Sequence, residues 1–132
     1  MSRDVYSTNN VVFDCKYHVV FCPKYRRKVL VSPIDERLKE LFLLKANELQ
    51  AEIVHMDIMP DHVHVLIRCD PQFGIHKVVK HLKGYTSRML RQEFKQLTSR
   101  LPSLWTNSYF VATVGSVSLE TVQRYIEEQK DR

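Results

Sequence analysis

Apolar and polar residues alternate along this chain with two periods, two residues and about 3.6, and the changeovers predict seven elements. Residues 11 to 22 are rich in Val, Phe, Tyr and Cys and stop at Pro23, which predicts a strand followed by a basic loop. Ser32 then reads as an N-cap, with Pro33 at the first helical position and Asp35 and Glu36 in the first turn. The apolar stripe Ile34, Leu38, Leu41, Phe42 and Leu49 carries that helix to about Gln50. Residues 52 to 59 and 62 to 69 are two strand-like runs separated by Pro60-Asp61, an antiparallel hairpin. After Pro71 and Gly74 a long helix is predicted over 75 to 97, buried through Val78, Val79, Leu82, Met89 and Phe94. Tyr109 to Val114 reads as a last strand. Gly115 then leads to a helix over 117 to 129 that Ser116 or Ser118 could cap.

The order strand, helix, strand, strand, helix, strand, helix predicts an α+β fold. It matches a ferredoxin-like, RRM-like antiparallel sheet with helices on one face plus a C-terminal helix. At 132 residues the chain fits one domain, spanning 1–132. That fold hosts many activities, so function must come from particular residues.

Composition narrows the classes. With 44% hydrophobic and 27% charged residues the chain is an ordinary globular one. No apolar run reaches the ~20 residues that span a bilayer, and the first residues hold no signal-peptide core, so a cytoplasmic protein is expected. Cys15, Cys22 and Cys69 form no Cys-x-x-Cys and read as free thiols. The net charge of +5 is clustered: residues 71 to 100 hold seven basic side chains against one acid, Glu93, and Lys24-Tyr25-Arg26-Arg27-Lys28 adds four more. Such clustering suits a polyanion, though it also serves solubility.

His62-Val63-His64 brings chemistry into the pattern. On a strand the two imidazoles share a face while Val63, Val65 and Ile67 point the other way. Two neutral imidazoles are half of a metal site, or else polar groups on the solvated side of a half-buried strand. In the last helix Leu119, Val122 and Ile126 form the core-facing stripe. Tyr125 and Gln129, four apart, lie one above the other on an adjacent face with Thr121. Read alone, Tyr125 is a boundary aromatic with its hydroxyl in water.

Four stretches together resemble a known family. They are Phe21-Cys22-Pro23-Lys24-Tyr25-Arg26-Arg27, Met59-Pro60-Asp61-His62-Val63-His64, Leu82-Lys83-Gly84-Tyr85-Thr86-Ser87-Arg88 and Val122-Gln123-Arg124-Tyr125-Ile126-Glu127-Glu128-Gln129. The chain resembles the single-tyrosine HUH transposases of small bacterial insertion sequences, the IS200/IS605-like type, over most of its length; HUH denotes His, a hydrophobic residue, His.

That resemblance implies a single-strand DNA nuclease and strand transferase with Tyr125 as nucleophile. It implies His62, His64 and Gln129 as ligands of a divalent metal ion, Mg²⁺ or Mn²⁺; ligand chemistry alone does not select Mg²⁺, which prefers oxygen donors. A cation beside Tyr125 would favour its anion, since a phenol of pKa ~10 is mostly protonated at pH 7. Asp61 would orient an imidazole. The products implied are a 5′-phosphotyrosine and a free 3′-hydroxyl, with no nucleotide cofactor. The chain indeed has no Walker-type loop.

Further implications are recognition of single-stranded DNA with hairpins and a homodimer in which one subunit's tyrosine helix can complete the other's site, with Gly115 as hinge. Lys24, Arg26, Arg27, Lys83 and Arg88 are expected to contact the DNA backbone, with Tyr25 or Tyr85 stacking on an unpaired base. His18 and His55 read as structural strand residues, and His76 and His81 lie outside the expected site. The competing readings are a non-catalytic ferredoxin-like nucleic-acid binding module, an HUH endonuclease of the replication or relaxase type, and a metallohydrolase in which water attacks. A denaturation-stable protein–DNA adduct separates covalent chemistry from binding and hydrolysis.

Overall fold

The four sheet strands assemble in the order that the split pattern requires. The computed structural model describes residues 6–7, 12–115 and 119–132. A ribbon of β1 (Tyr6–Ser7) and β2 (Val12–Phe13) precedes β3 (Lys16–Phe21), α1 (Ile34–Glu48), β4 (Glu52–Met59), β5 (His62–Arg68), α2 (Ile75–Glu93), α3 (Gln96–Arg100), β6 (Phe110–Thr113) and α4 (Leu119–Glu128). The main sheet runs β4-β5-β3-β6, antiparallel throughout. This is the ferredoxin-like arrangement, α+β, as expected.

Register decides which side chains share a face. Val19 opposes Val65, Phe21 opposes Val63 and Tyr17 opposes Ile67, so these alternate residues make one apolar face. Val19, Phe21, Val63, Val65 and Ile67 are fully buried against Leu38, Leu41 and Phe42 of α1 and Val78, Val79 and Leu82 of α2. Trp105 closes one end, stacked edge-on to Phe21 at 4.8 Å, its indole N–H donating to Thr86 Oγ1 at 3.1 Å. The opposite face carries His18, Val20, His62 and His64, and α4 lies over it.

Several local expectations are corrected. The predicted first strand is broken at Asp14-Cys15 into β2 and β3, and the β1–β2 ribbon was not anticipated. Pro33 rather than Ser32 occupies the cap position of α1, and the Ser32 hydroxyl instead donates to Glu36 Oε1 at 3.1 Å. The long helix stops at Glu93 because Phe94 turns extended (φ −125°, ψ 97°). A straight helix over 75 to 97 would run about 35 Å, past a sheet whose longest strand spans about 26 Å. Turning the chain lets Leu97, Leu101 and Leu104 pack into the core. Candidate caps Ser116 and Ser118 lie outside the described residues. Among the described residues, no helix is long and apolar enough to cross a membrane.

Candidate active site

The Pro60-Asp61 turn delivers His62 and His64 onto one face of β5, beside Asp57 and Met59 of β4 and His18 of β3. These five residues line a cavity of about 550 Å³ roofed by Leu119, Val122, Gln123 and Ile126 of α4. His62 Nδ1 lies 2.9 Å from Asp61 Oδ1. A carboxylate only accepts, so Nδ1 holds a proton, an arrangement that in the neutral ring leaves the lone pair on Nε2. The expectation that Asp61 orients an imidazole agrees with this contact. His64 Nε2 lies 3.0 Å from His18 Nδ1, with the two rings stacked at 5.2 Å. Burial, and then the neighbouring His18, lower the His64 pKa, so this imidazole is favoured neutral.

Asp61 is itself gripped by Arg26, whose Nε reaches Oδ2 at 3.0 Å. The same guanidinium meets Glu127 at 3.5 Å and the Ile126 carbonyl at 3.4 Å, both on α4. Arg26 thus ties the histidine hairpin to the tyrosine helix. It sits with Tyr25 in the left-handed region, at φ 52° and 60°, a costly backbone for non-glycine residues held by these partners. The Tyr25 N–H also donates to the Arg132 carbonyl at 2.7 Å.

The apolar stripe of α4 covers the imidazole cavity rather than the core. Leu119 is 73% exposed, and no residue of Leu119–Glu128 is fully buried. Tyr125 and Gln129 do lie together, as their spacing predicts: Gln129 Nε2 donates to the Tyr125 carbonyl at 3.2 Å. They are absent from the cavity lining and point instead to Ser108, whose Oγ is 3.0 Å from Tyr125 Oη and 3.2 Å from Gln129 Oε1. Burial raises the Tyr125 pKa, with the Ser108 contact acting in the opposite direction. Gln129 is only 1% exposed.

The expected DNA contacts divide into two groups. Arg27 and Arg88 are exposed, and half-buried Lys24 lies over the Tyr25 ring at 5.4 Å. Arg88 shares a groove of the α1–α2 layer with Lys45, Lys77, Lys80, His81 and Tyr85, on the side of the molecule away from the imidazoles. Arg26 and Lys83 turn inward. Lys83 Nζ donates to the carbonyls of Thr106 at 2.6 Å, Ser108 at 3.2 Å and Asn107 at 3.4 Å. Burial lowers its pKa to about 8. Sequence reasoning missed Ser108, the pairing of His18 with His64 and these inward roles. The only local signal was that His18 alternates onto the non-core face of its strand.

Residues 11–129 match the sequence family described as IS200-like transposases. The ISDra2 transposase TnpA of Deinococcus radiodurans is 37% identical over 123 residues, which cover 92% of this chain and 88% of that protein. The transposase for insertion sequence element IS200 of Salmonella typhimurium is 29% identical over 119 residues, covering 89% of this chain and 78% of the relative. Among solved structures, a transposase candidate from Deinococcus radiodurans superposes with a TM-score of 0.87 at 33% identity, covering 96% of this chain and 99% of that one. A REP-associated tyrosine transposase bound to a REP hairpin gives a TM-score of 0.58 at 12% identity, covering 96% of this chain and 69% of that one, a likeness of fold.

Proposed function

Because this chain belongs to the family of IS200-like transposases, and is therefore a DNA transposase, we propose that it cuts and rejoins single-stranded DNA with Tyr125 as nucleophile. The phenolic oxygen attacks a phosphodiester and its proton passes to solvent. A phosphorus–oxygen bond forms to Tyr125 as the bond to the 3′-oxygen breaks, giving a 5′-phosphotyrosine and a strand ending in 3′-hydroxyl. A 3′-hydroxyl attacking such a linkage reverses these changes and seals a new junction. The observation that carries this reading is the imidazole pair, His62 and His64, lining one cavity under the helix that bears Tyr125.

The donor set fits a divalent cation, Mg²⁺ or Mn²⁺, held by His62, His64 and Gln129. His62 is oriented by Asp61 with Nε2 free, and both histidines face the same space. Among the described residues no three His, Cys, Asp or Glu are arranged to hold a metal, and the third ligand that the family resemblance implies is of another type. The Gln129 amide oxygen is such a donor. When bound, the cation polarises a phosphate oxygen and favours the phenolate.

Gln129 and Tyr125 reach the cavity only if α4 moves or is supplied by a second subunit, and we infer a homodimer. The sparse packing of α4 and the φ of +89° at Gly115, a backbone suited to glycine, support an exchangeable helix. Lys24, Arg27 and Arg88 lie at the surface for DNA phosphates, and the cationic groove around Tyr85 suits the stem of a hairpin. Arg26 and Lys83 act from within, by holding the groups just described.

Labelled oligonucleotides carrying the palindromes that flank the gene, incubated with Mn²⁺, should yield a protein–DNA adduct that survives denaturation. Tyr125→Phe and EDTA should each abolish it. Cleavage without attachment would overturn the nucleophile assignment, as would an adduct in Tyr125→Phe. Mixing Tyr125→Phe with His64→Ala should restore part of the cleavage if the helix acts in the partner's site; no recovery would count against that arrangement.

A further inference from the structure

The ladder between β3 and β5 continues one step past its last strand pair. Lys16 opposes Arg68, so the next residues outward, Cys15 and Cys69, face one another, and the Cys69 N–H donates to the Cys15 carbonyl at 3.1 Å. Opposed residues of an antiparallel pair put their side chains on one face. Here it is the core face, shared with Tyr17 and Ile67, where Cys69 is buried and Cys15 half-buried. Tyr17 senses both sulfurs: burial first, then Cys15 and Cys69, raise its pKa. The approach is also fixed from the other face, where Arg68 Nε donates to Asp14 Oδ1 at 3.3 Å.

Opposed residues that share a ladder hydrogen bond have Cα atoms about 5.5 Å apart, inside the roughly 4.4–6.8 Å that a disulfide spans. Their Cβ atoms start about 5 Å apart against about 3.8 Å in a disulfide, so closing the bond draws the two strands together. Cys15 precedes β3 and is the end that yields. A bond closed against the spacing of the ladder is strained, and a strained disulfide is reduced more easily than a relaxed one.

We propose that Cys15 and Cys69 form a redox site: a two-electron oxidant of the peroxide class joins them in a reversible cross-strand disulfide that staples the start of β3 to the end of β5. The site is independent of the DNA chemistry proposed above. Cys15 meets the oxidant first, because it is half-buried and borders a cavity of about 270 Å³ with Asp14, Tyr17, Thr113 and Val114. Its sulfur attacks one peroxide oxygen, the O–O bond breaks, and a sulfenic acid and one water result. The Cys69 sulfur then displaces the hydroxyl: the S–S bond forms as the S–O bond breaks, and the Cys69 proton leaves with the hydroxyl as a second water. Each sulfur loses one electron and the peroxide takes up both. Burial pushes the Cys69 thiol up to about 11, so it is the resolving partner and not the first to react. An external dithiol reverses the bond by exchange.

The test exposes the reduced full chain to dilute hydrogen peroxide, blocks the remaining thiols with N-ethylmaleimide in denaturant, and weighs the peptides. The Cys15 and Cys69 peptides should be recovered joined, lighter by two hydrogens than the separate pair, in a product that dithiothreitol divides. Cys22, buried beyond the other end of β3, should carry maleimide throughout. Because the ring closed by the bond encloses α1 and β4, the oxidised protein should melt about 5 °C higher than the reduced one. Cys69→Ala should carry Cys15 on to the sulfinic acid. If that variant fails to fold, Cys15→Ser at the half-buried position should abolish the link and leave Cys69 labelled. Wild-type protein in which Cys15 becomes a sulfinic acid while Cys69 stays a thiol overturns the inference. A link through Cys22, or one joining two chains through Cys15, does the same, and a joined pair with no rise in Tm overturns the staple.

Discussion

Replacing Arg26 with methionine keeps the length of the side chain and removes a charge that joins two halves of the site. The Arg26–Asp61 pair is close, at 3.0 Å, and its side chains are 18% and 17% exposed. Exposed pairs contribute about 0–1 kcal/mol, whereas removing one partner of a fully buried pair costs about 3–5 kcal/mol. A pair screened to this degree falls between, at about 2 kcal/mol. Glu127, at 3.5 Å and 73% exposed, adds little. At about 2.1 cal/mol/K per residue, the unfolding entropy of a 132-residue domain converts that loss into a Tm lower by about 7 °C. Asp61→Asn should cost a similar amount, and Arg26→Met with Asp61→Asn little more than either alone. Thermal or urea unfolding of all four proteins gives the coupling. Effects that simply add, within about 0.5 kcal/mol, would refute the idea that this ion pair is what holds the loop to the hairpin.

Three further outcomes follow from burial. Lys83 has a folded pKa near 8 against about 10.4 unfolded, so between these values the unfolded chain binds more protons and this group makes stability rise with pH. Wild type should therefore gain Tm relative to Lys83→Met from pH 8 toward 10, and parallel curves would contradict the assignment. Cys22 and Cys69, whose thiols burial pushes up to about 12 and about 11, should resist iodoacetamide at pH 8 until the protein unfolds, as mass spectrometry of labelled peptides will report. Leu82→Ala, at a fully buried position between α2 and the sheet, should cost about 2–5 kcal/mol in urea unfolding, against under about 0.5 kcal/mol for Leu44→Ala on the exposed side of α1.

What could be read in advance was whatever depends on a repeat along the chain. His62 and His64 share a face because strands alternate, and Tyr125 meets Gln129 because helices return every fourth residue. The order of elements sufficed for the sheet topology, since few connections of such elements are allowed. Contacts set by register between distant strands were not legible: His18 and His64 are 46 positions apart. The inward turns of Arg26 and Lys83 were hidden because a basic residue in a loop or on a helix looks alike whether it meets phosphate or carbonyl. Ser108 carried no pattern at all. The break at Phe94 reflects the finite length of the sheet rather than any helix-stopping residue nearby.

The cationic groove between α1 and α2 and the imidazole cavity under α4 sit on opposite sides of one sheet. On the proposed function, a nucleic acid gripped by the first and severed at the second would round a rim of the molecule, since four paired strands leave no passage through the middle. Three spacings of about 4.8 Å make the sheet about 14 Å broad. On the proposed function the fold would act as a caliper, with the thickness and breadth of the sheet keeping the structure it clasps apart from the bond it breaks.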